Sequence, residues 1–174
     1  MSRVCQGRRT VVFLPLVKTS QKFCGILCAH GFRAAEVNGD SADRGRILSD
    51  FAAGKYDVLC NSMLLTEGWD CPAVDCVVVL RPTKVRSLYS QMVGRGTRLH
   101  PGKQELLLLD FLWHTERMEL CHPASLICKD SEVARRMTEL IETAGMPVDV
   151  EAVEKQAAQD VINQREESLA KQLQ

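Results

Sequence analysis

The amino-acid sequence predicts an α/β domain of three layers, with a mostly parallel sheet, followed by a C-terminal helical extension. Two observations carry that prediction. First, over about 110 residues, short apolar runs rich in β-branched residues alternate with segments of helical periodicity and polar start signals. Near-continuous apolar strands of this kind belong to parallel sheets covered on both faces, and the alternation predicts right-handed crossovers. Second, after Phe111 the strand pattern stops, and capped, charged helical segments replace it.

The elements follow in order. The run from Thr10 to Pro15 is the first strand. The segment after it places Phe23, Ile26 and Leu27 at helical spacing, with Ser20 as the expected N-cap and Gly31 as the stop. Residues 33–39 form a second strand ending in a turn. A helix capped by Ser41 and stopped by Gly54 then buries Ile47, Leu48 and Phe51. The stretch 56–61 is a third strand, 74–80 a fourth, 85–94 another helix and 104–111 a fifth strand. Beyond residue 111, a stretch with Trp113 and Pro123 lacks a clear period. A helix then opens at Asp130 or Ser131 and stops at Gly145. After Pro147 a long helix carries a narrow stripe of Val150, Val153, Ala157 and Val161, which is expected to pack only partly on the core or to pair with another chain. The domain boundary is therefore set at residues 1–111 and 112–174.

Composition excludes several classes. The 174 residues are 45% hydrophobic and 25% charged, ordinary for a globular chain. No apolar run reaches the length of a membrane span, so no membrane partner is expected, and without a recognisable signal peptide the expected location is cytoplasmic. Eight cysteines occur, but no C-x-x-C pair; several sit inside apolar runs, where cysteine acts as a small hydrophobe, and no metal site is expected. The net charge is zero yet unevenly spread. Residues 1–110 carry 15 Lys and Arg against 10 Asp and Glu, and the remainder carries 7 against 12. The first lobe is thus mildly basic, which permits a polyanionic partner without requiring one.

Two stretches are unusual. In "YSQMVGRGTRL", Tyr89 to Leu99, Arg95 and Arg98 stand three apart, with Gly94 and Gly96 flanking the first. Guanidinium groups match phosphate oxygens in a bidentate fork, and the glycines would let the backbone approach a phosphate. Taken alone, two arginines are most often a solvated face or ion-pair partners. In "CNSMLLTEGWDCP", Cys60 to Pro72, a strand ends and a loop carries Gly68 and Asp70. The Asp70 carboxylate either meets a ligand or organises an Asx-type turn. Both loops are expected beyond the carboxyl ends of the strands, where functional groups of such sheets gather.

The order of these pieces resembles the C-terminal RecA-like domain of superfamily 2 helicases and translocases. "QMVGRGTR" matches that family's Q-x-x-G-R-x-x-R motif at Gln91, Gly94, Arg95 and Arg98. "TEGWDCP" is similar to its G-x-D-x-P element at Gly68, Asp70 and Pro72. The helix with Arg44, Phe51 and Gly54, and the first strand followed by Thr19 and Ser20, resemble further family elements. Together these cover about residues 10–111; residues 112–174 match no motif. The "TEGWD" form is closer to repair and restriction members than to the DEAD-box branch.

The resemblance implies a role for each residue. Arg98 would be the arginine finger on the γ-phosphate of ATP, with Arg95 as a second catalytic contact. Gly68, Asp70, Gln91 and Gly94 would line the ATP side. Thr19, Ser20 and Ser62 would touch the backbone of a bound DNA or RNA strand. ATP and Mg²⁺ would be the cofactors of a complete two-domain protein. The partner would be an N-terminal RecA-like domain that supplies the phosphate-binding loop, because no G-x-x-x-x-G-K-[ST] occurs in this sequence. The chain alone is then expected to be inactive, as the second motor domain of an ATP-dependent helicase, with DNA the expected nucleic acid. The alternative is a non-catalytic module of the same fold that docks nucleic acid or protein.

Overall fold

The computed structural model describes residues 4–62, 65, 69–111, 123–144 and 148–172. The chain divides into two compact units, residues 1–120 and 121–174.

The first unit is a five-stranded sheet in the order β2-β3-β1-β4-β5, with every pairing parallel. The strands are β1 (Thr10–Phe13), β2 (Ala34–Val37), β3 (Val58–Asn61), β4 (Cys76–Val79) and β5 (Leu107–Asp110). The central three are fully buried along their length, as an all-parallel sheet requires. The register is flush: Thr10 lies opposite Val58 and Cys76, and Phe13 opposite Asn61 and Val79. One edge of the sheet therefore holds all the strand beginnings and the other all the strand ends.

Three helices connect these strands: α1 (Val17–Ala29), α2 (Arg44–Ala52) and α3 (Arg86–Gly94). Side chains alternate across a strand with period two. Val12, Cys60 and Val78 form one buried cluster with Leu27 of α1. Val77, one residue out of phase with Val78, lies instead beneath the end of α3. These contacts put α1 and α3 on opposite faces, the arrangement that right-handed crossovers produce from this strand order.

Some local expectations are corrected. Helix α1 begins at Val17 with Leu16 as its N-cap, so Ser20 is not a cap; it sits inside the helix and is fully buried, while Ile26 is exposed. Helix α2 begins at Arg44 after Asp43, and Ser41 instead uses its hydroxyl to accept the Asn38 N–H at 3.0 Å. Gly31 and Gly54 do close their helices in the left-handed region, at φ of 82° and 87°.

The second unit contains α4 (Ala124–Ile127), α5 (Ser131–Thr143) and α6 (Val150–Gln172). Asp130 caps α5, its side chain accepting the N–H groups of Glu132 and Val133. The expected stop at Gly145 lies outside the described residues. Helix α6 packs along α5, and Ala157 and Val161 of its stripe are buried together with Met137 and Ile141 of α5. The long helix thus has a partner within its own unit.

Phe51 shows how the first unit is locked at the beginning edge of the sheet. Its ring is fully buried, faces Trp69 at 5.9 Å between centroids, and carries the Arg9 guanidinium 5.4 Å above its face. The same guanidinium donates to the Phe51 and Tyr56 carbonyls. Phe51→Ala is expected to lower unfolding free energy by about 3–5 kcal/mol, read from denaturant melts of the chain.

Candidate functional site

Helix α3 runs opposite to the strands, and that direction decides where its residues act. Near its start, the buried Tyr89 hydroxyl donates to Asp110 Oδ2 at 2.6 Å, and Asp110 is the last residue of β5. At its other end, Gly96 lies against Val77 of β4 and against Leu106, which immediately precedes β5. Arg95 and Arg98 therefore stand at the edge where strands begin. The expectation that they gather beyond the carboxyl ends is corrected, because a right-handed crossover returns the chain to the opposite edge before the next parallel strand.

Asp70 comes to the same edge by another path, five residues before the Asp75 that precedes β4. Its carboxylate pairs with the Arg98 guanidinium. Both side chains are about half exposed, 54% for Asp70 and 44% for Arg98, so the pair is open to exchange with solvent ions. Asp70 is thus neither a plain Asx turn nor an isolated carboxylate.

Arg95 is more enclosed. One of its terminal nitrogens donates to the backbone carbonyl of Trp69. Burial lowers its pKa from the ordinary guanidinium value, the neighbouring Arg98 lowers it further, and Asp70 partly offsets both. Two cations and one carboxylate are therefore gathered within mutual electrostatic reach. Gln91 is exposed on α3 one turn before Arg95.

The two glycines differ in role. Neither has a positive φ. Gly94 faces open space, and a Cβ there would meet nothing within 4 Å. Gly96 is buried, and a Cβ there would come within 2.9 Å of Val77 Cγ2 and overlap Leu106. The expectation that Gly96 loosens the backbone toward a phosphate is corrected: the residue is small so that the loop can rest on the sheet. Gly68 lies outside the described residues.

The residues expected on a nucleic-acid strand lie near the other edge. Thr19 is exposed in the first turn of α1, just after β1 ends. Ser62 follows the last residue of β3 and is half-buried. Ser20 is fully buried, and the hydroxyl oxygen of Ser62 is shielded as well, which leaves Thr19 as the exposed hydroxyl of the three. Among the described residues, no group of three or more His, Cys, Asp or Glu is placed to hold a metal ion.

Sequence reasoning passed over Trp69 and Lys103. Trp69 is buried against Phe51 and presents its carbonyl to Arg95. An aromatic residue between a loop glycine and an aspartate was the available signal. Lys103 carried none: "PGKQE" reads as a plain polar turn.

An all-parallel five-stranded sheet in this order, with helices on both faces, is a RecA-like α/β lobe. The chain belongs to the helicase conserved C-terminal domain family, matched over residues 2–100, and so to the superfamily 2 helicases. Among its relatives, a Schizosaccharomyces pombe protein whose name reads mitochondrial ATP-dependent helicase irc3 is 42% identical over 113 residues, which cover 64% of this chain and 19% of that protein. UvrABC system protein B of Thermus thermophilus is 33% identical over 108 residues, 58% of this chain and 16% of that protein. The chain thus spans about a fifth or less of these curated relatives. Among solved structures, a fragment of an HsdR subunit of a type I restriction enzyme from Vibrio vulnificus aligns with a TM-score of 0.55 at 28% identity, covering 63% of this chain and 24% of that one. The C-terminal domain of the DEAD-box protein Dbp5 shares the fold, with a TM-score of 0.52 at 24% identity over 59% of this chain and 61% of that one.

Gly96→Ala is expected to destabilise the chain by about 1–3 kcal/mol through overpacking on Val77 and Leu106. Gly94→Ala, in open space at the end of a helix, is expected to be neutral or to stabilise by up to about 1 kcal/mol. Parallel denaturant melts of the two variants check the contrast.

Proposed function

We propose that residues 1–111 are the second motor domain of an ATP-dependent helicase or translocase, completed by an N-terminal RecA-like domain, and that Arg98 is its arginine finger. The observation that carries this reading is the exposed Arg98–Asp70 pair on a loop seated on the sheet edge. A half-exposed pair of this kind contributes little to stability. Its carboxylate neutralises the finger in the absence of a nucleotide and is readily displaced by a phosphate group of higher charge. Once released, the planar guanidinium suits the oxygens of a γ-phosphoryl group and stabilises the charge that develops there during transfer.

The residues here fit the γ-phosphate and ribose side of ATP: guanidiniums, the Asp70 carboxylate and the exposed amide of Gln91. The β-phosphate and Mg²⁺ fall to the N-terminal domain, since the sequence has no phosphate-binding loop of its own. Arg95, engaged with the Trp69 carbonyl, acts mainly by holding the Asp70 loop in place and by adding positive potential. Gly94, and Gly68 in the same loop as Asp70, complete the ATP-side set. Thr19 would meet the strand backbone, and Ser62 would join it once its shielded hydroxyl is uncovered, contacts that position without reading sequence.

DNA is the nucleic acid of this reading, on the resemblance of the "TEGWD" form to repair and restriction members. An ATP-driven motor works inside the cell, and the fission-yeast relative carries a mitochondrial name. The location in this reading is therefore intracellular, with mitochondria included beside the cytoplasm.

In the complete two-domain protein, Arg98→Ala is expected to lower kcat for ATP by on the order of 10³-fold, with little change in nucleic-acid affinity, and Arg98→Lys to rescue poorly. In the 174-residue chain the same change is expected to shift stability by less than about 1 kcal/mol, and that chain is expected to show no turnover. Normal turnover by the Arg98→Ala whole protein, per folded molecule, would leave the docking-module reading in its place. Single-stranded DNA is expected to stimulate the turnover more than RNA of the same sequence; the reverse order reassigns the substrate to RNA.

A further inference from the structure

The loop that presents Arg98 has little packing to hold it. Thr97, Arg98, Leu99, His100, Pro101 and Gly102 are all exposed, Leu99 to 96%. Side-chain burial cannot fix the direction of Arg98 there. A cation in the same turn makes the fixing contacts instead. The Lys103 ammonium donates to the carbonyl of Val74 at 2.6 Å, to that of Arg98 at 2.8 Å, and to that of Gly96. An ammonium has three donors and no acceptor, so its capacity is filled by three backbone oxygens.

These oxygens come from two places. Gly96 and Arg98 belong to the loop after α3, and Val74 belongs to the segment that enters β4. Their convergence ties the arginine loop to the buried segment that enters the sheet at β4. It also ties it to the segment that begins at Asp70, the partner of Arg98. The site is half-buried, and burial lowers the Lys103 pKa from its ordinary value, opposed by the charge of Asp75 and, only where it ionises, by Cys71. The ammonium has therefore exchanged much of its water for these carbonyls.

We propose that Lys103 is a positioning residue, whose ammonium holds the backbone of Gly96 and Arg98 against Val74 and so sets the angle at which Arg98 is presented. The proposal rests on the arginine-finger reading of Arg98. Charge alone does not suffice in this role. The three acceptors converge on a point, which suits a compact ammonium with rotatable donors and does not suit a planar guanidinium. Arginine is thus a poor substitute here, although it keeps the charge.

Two measurements test this. The first uses the 174-residue chain and does not depend on any motor activity. In the wild type, the Lys103 ¹⁵Nζ resonance is expected to exchange its protons more slowly than those of the exposed Lys18 and Lys22, and Lys103 to titrate below the ordinary lysine value. In Lys103→Met, trypsin is expected to cut the Arg98–Leu99 bond on the order of 10-fold faster, as expected for a released loop, with cleavage after Arg44 unchanged. A Lys103 signal indistinguishable from Lys18, or an unchanged cleavage rate after Arg98, overturns the proposal.

The second uses the complete two-domain protein. Misplacing a catalytic group by about 1 Å costs on the order of 10²-fold. Lys103→Met and Lys103→Arg are therefore expected to lower kcat by about 10- to 100-fold, with KM for ATP within about twofold. Lys103→Gln, which keeps amide donors, is expected to fall between them and the wild type and serves as the second variant if Lys103→Met folds poorly. If Arg98→Ala abolishes turnover while Lys103→Met turns over like wild type per folded molecule, the Lys103 proposal fails and the finger reading stands. If Arg98→Ala itself turns over normally, the finger reading fails and the positioning role falls with it.

Discussion

How closely residue 96 approaches strand β4 sets the geometry of the whole arginine edge. With no side chain, Gly96 lets the end of α3 come down onto Val77 and Leu106. At that separation, the Gly96 carbonyl reaches Lys103, Arg95 reaches the carbonyl of Trp69, and Arg98 reaches Asp70. A single methyl group would lift the loop and lengthen all three contacts together. The glycine thus works by packing. Its usual association with unusual backbone angles does not apply, since its φ is not positive.

Helix α3 also explains why the candidate site has two halves. Its Tyr89 meets Asp110, at the end of β5, and the turn that follows it rests on Val77 of β4 through Gly96. Groups that leave the carboxyl ends of strands, such as Thr19 and Ser62, lie at one edge. Groups that arrive from helices, such as Arg95 and Arg98, lie at the other. The buried strands between them form a stiff plate, because interiors packed to crystal-like density transmit strain with little give. Under the proposed function, one edge of this sheet would face phosphate and the other a nucleic-acid strand, so the two would move as one body.

The second unit is organised by charge as well as by packing. Arg165 of α6 reaches both Asp130, the cap of α5, and Glu132, while Arg136 of α5 reaches Asp160 and Glu139. The apolar contact beneath is narrow: Met137 and Ile141 against Ala157 and Val161. The stripe along α6 was visible in the sequence, but its partner was not. A helix with an apolar stripe can pair with a neighbouring helix or with a separate surface, and local periodicity is the same in both cases.

The sequence by itself determined the class of fold and the existence of each strand. Buried parallel strands are near-continuously apolar, and Val11, Leu59, Val77 and their neighbours, in short runs between turn signals, mark those segments as strands. It also determined the identity of the cationic motif, because Gln91, Gly94, Arg95 and Arg98 carry their spacing in the chain. Only the tertiary structure decided which edge the arginines occupy, that Asp70 holds Arg98, that Ser20 is enclosed, and that Trp69 and Lys103 support the loop. Those facts depend on residues far apart in sequence meeting at one place: Arg95 with Trp69, Arg98 with Asp70, Lys103 with Val74. The physical reason is that a lysine hydrogen-bonding to backbone carbonyls leaves no side-chain complement in the sequence. Any residue can supply a carbonyl, so the acceptors of Lys103 become visible only once the chain has folded.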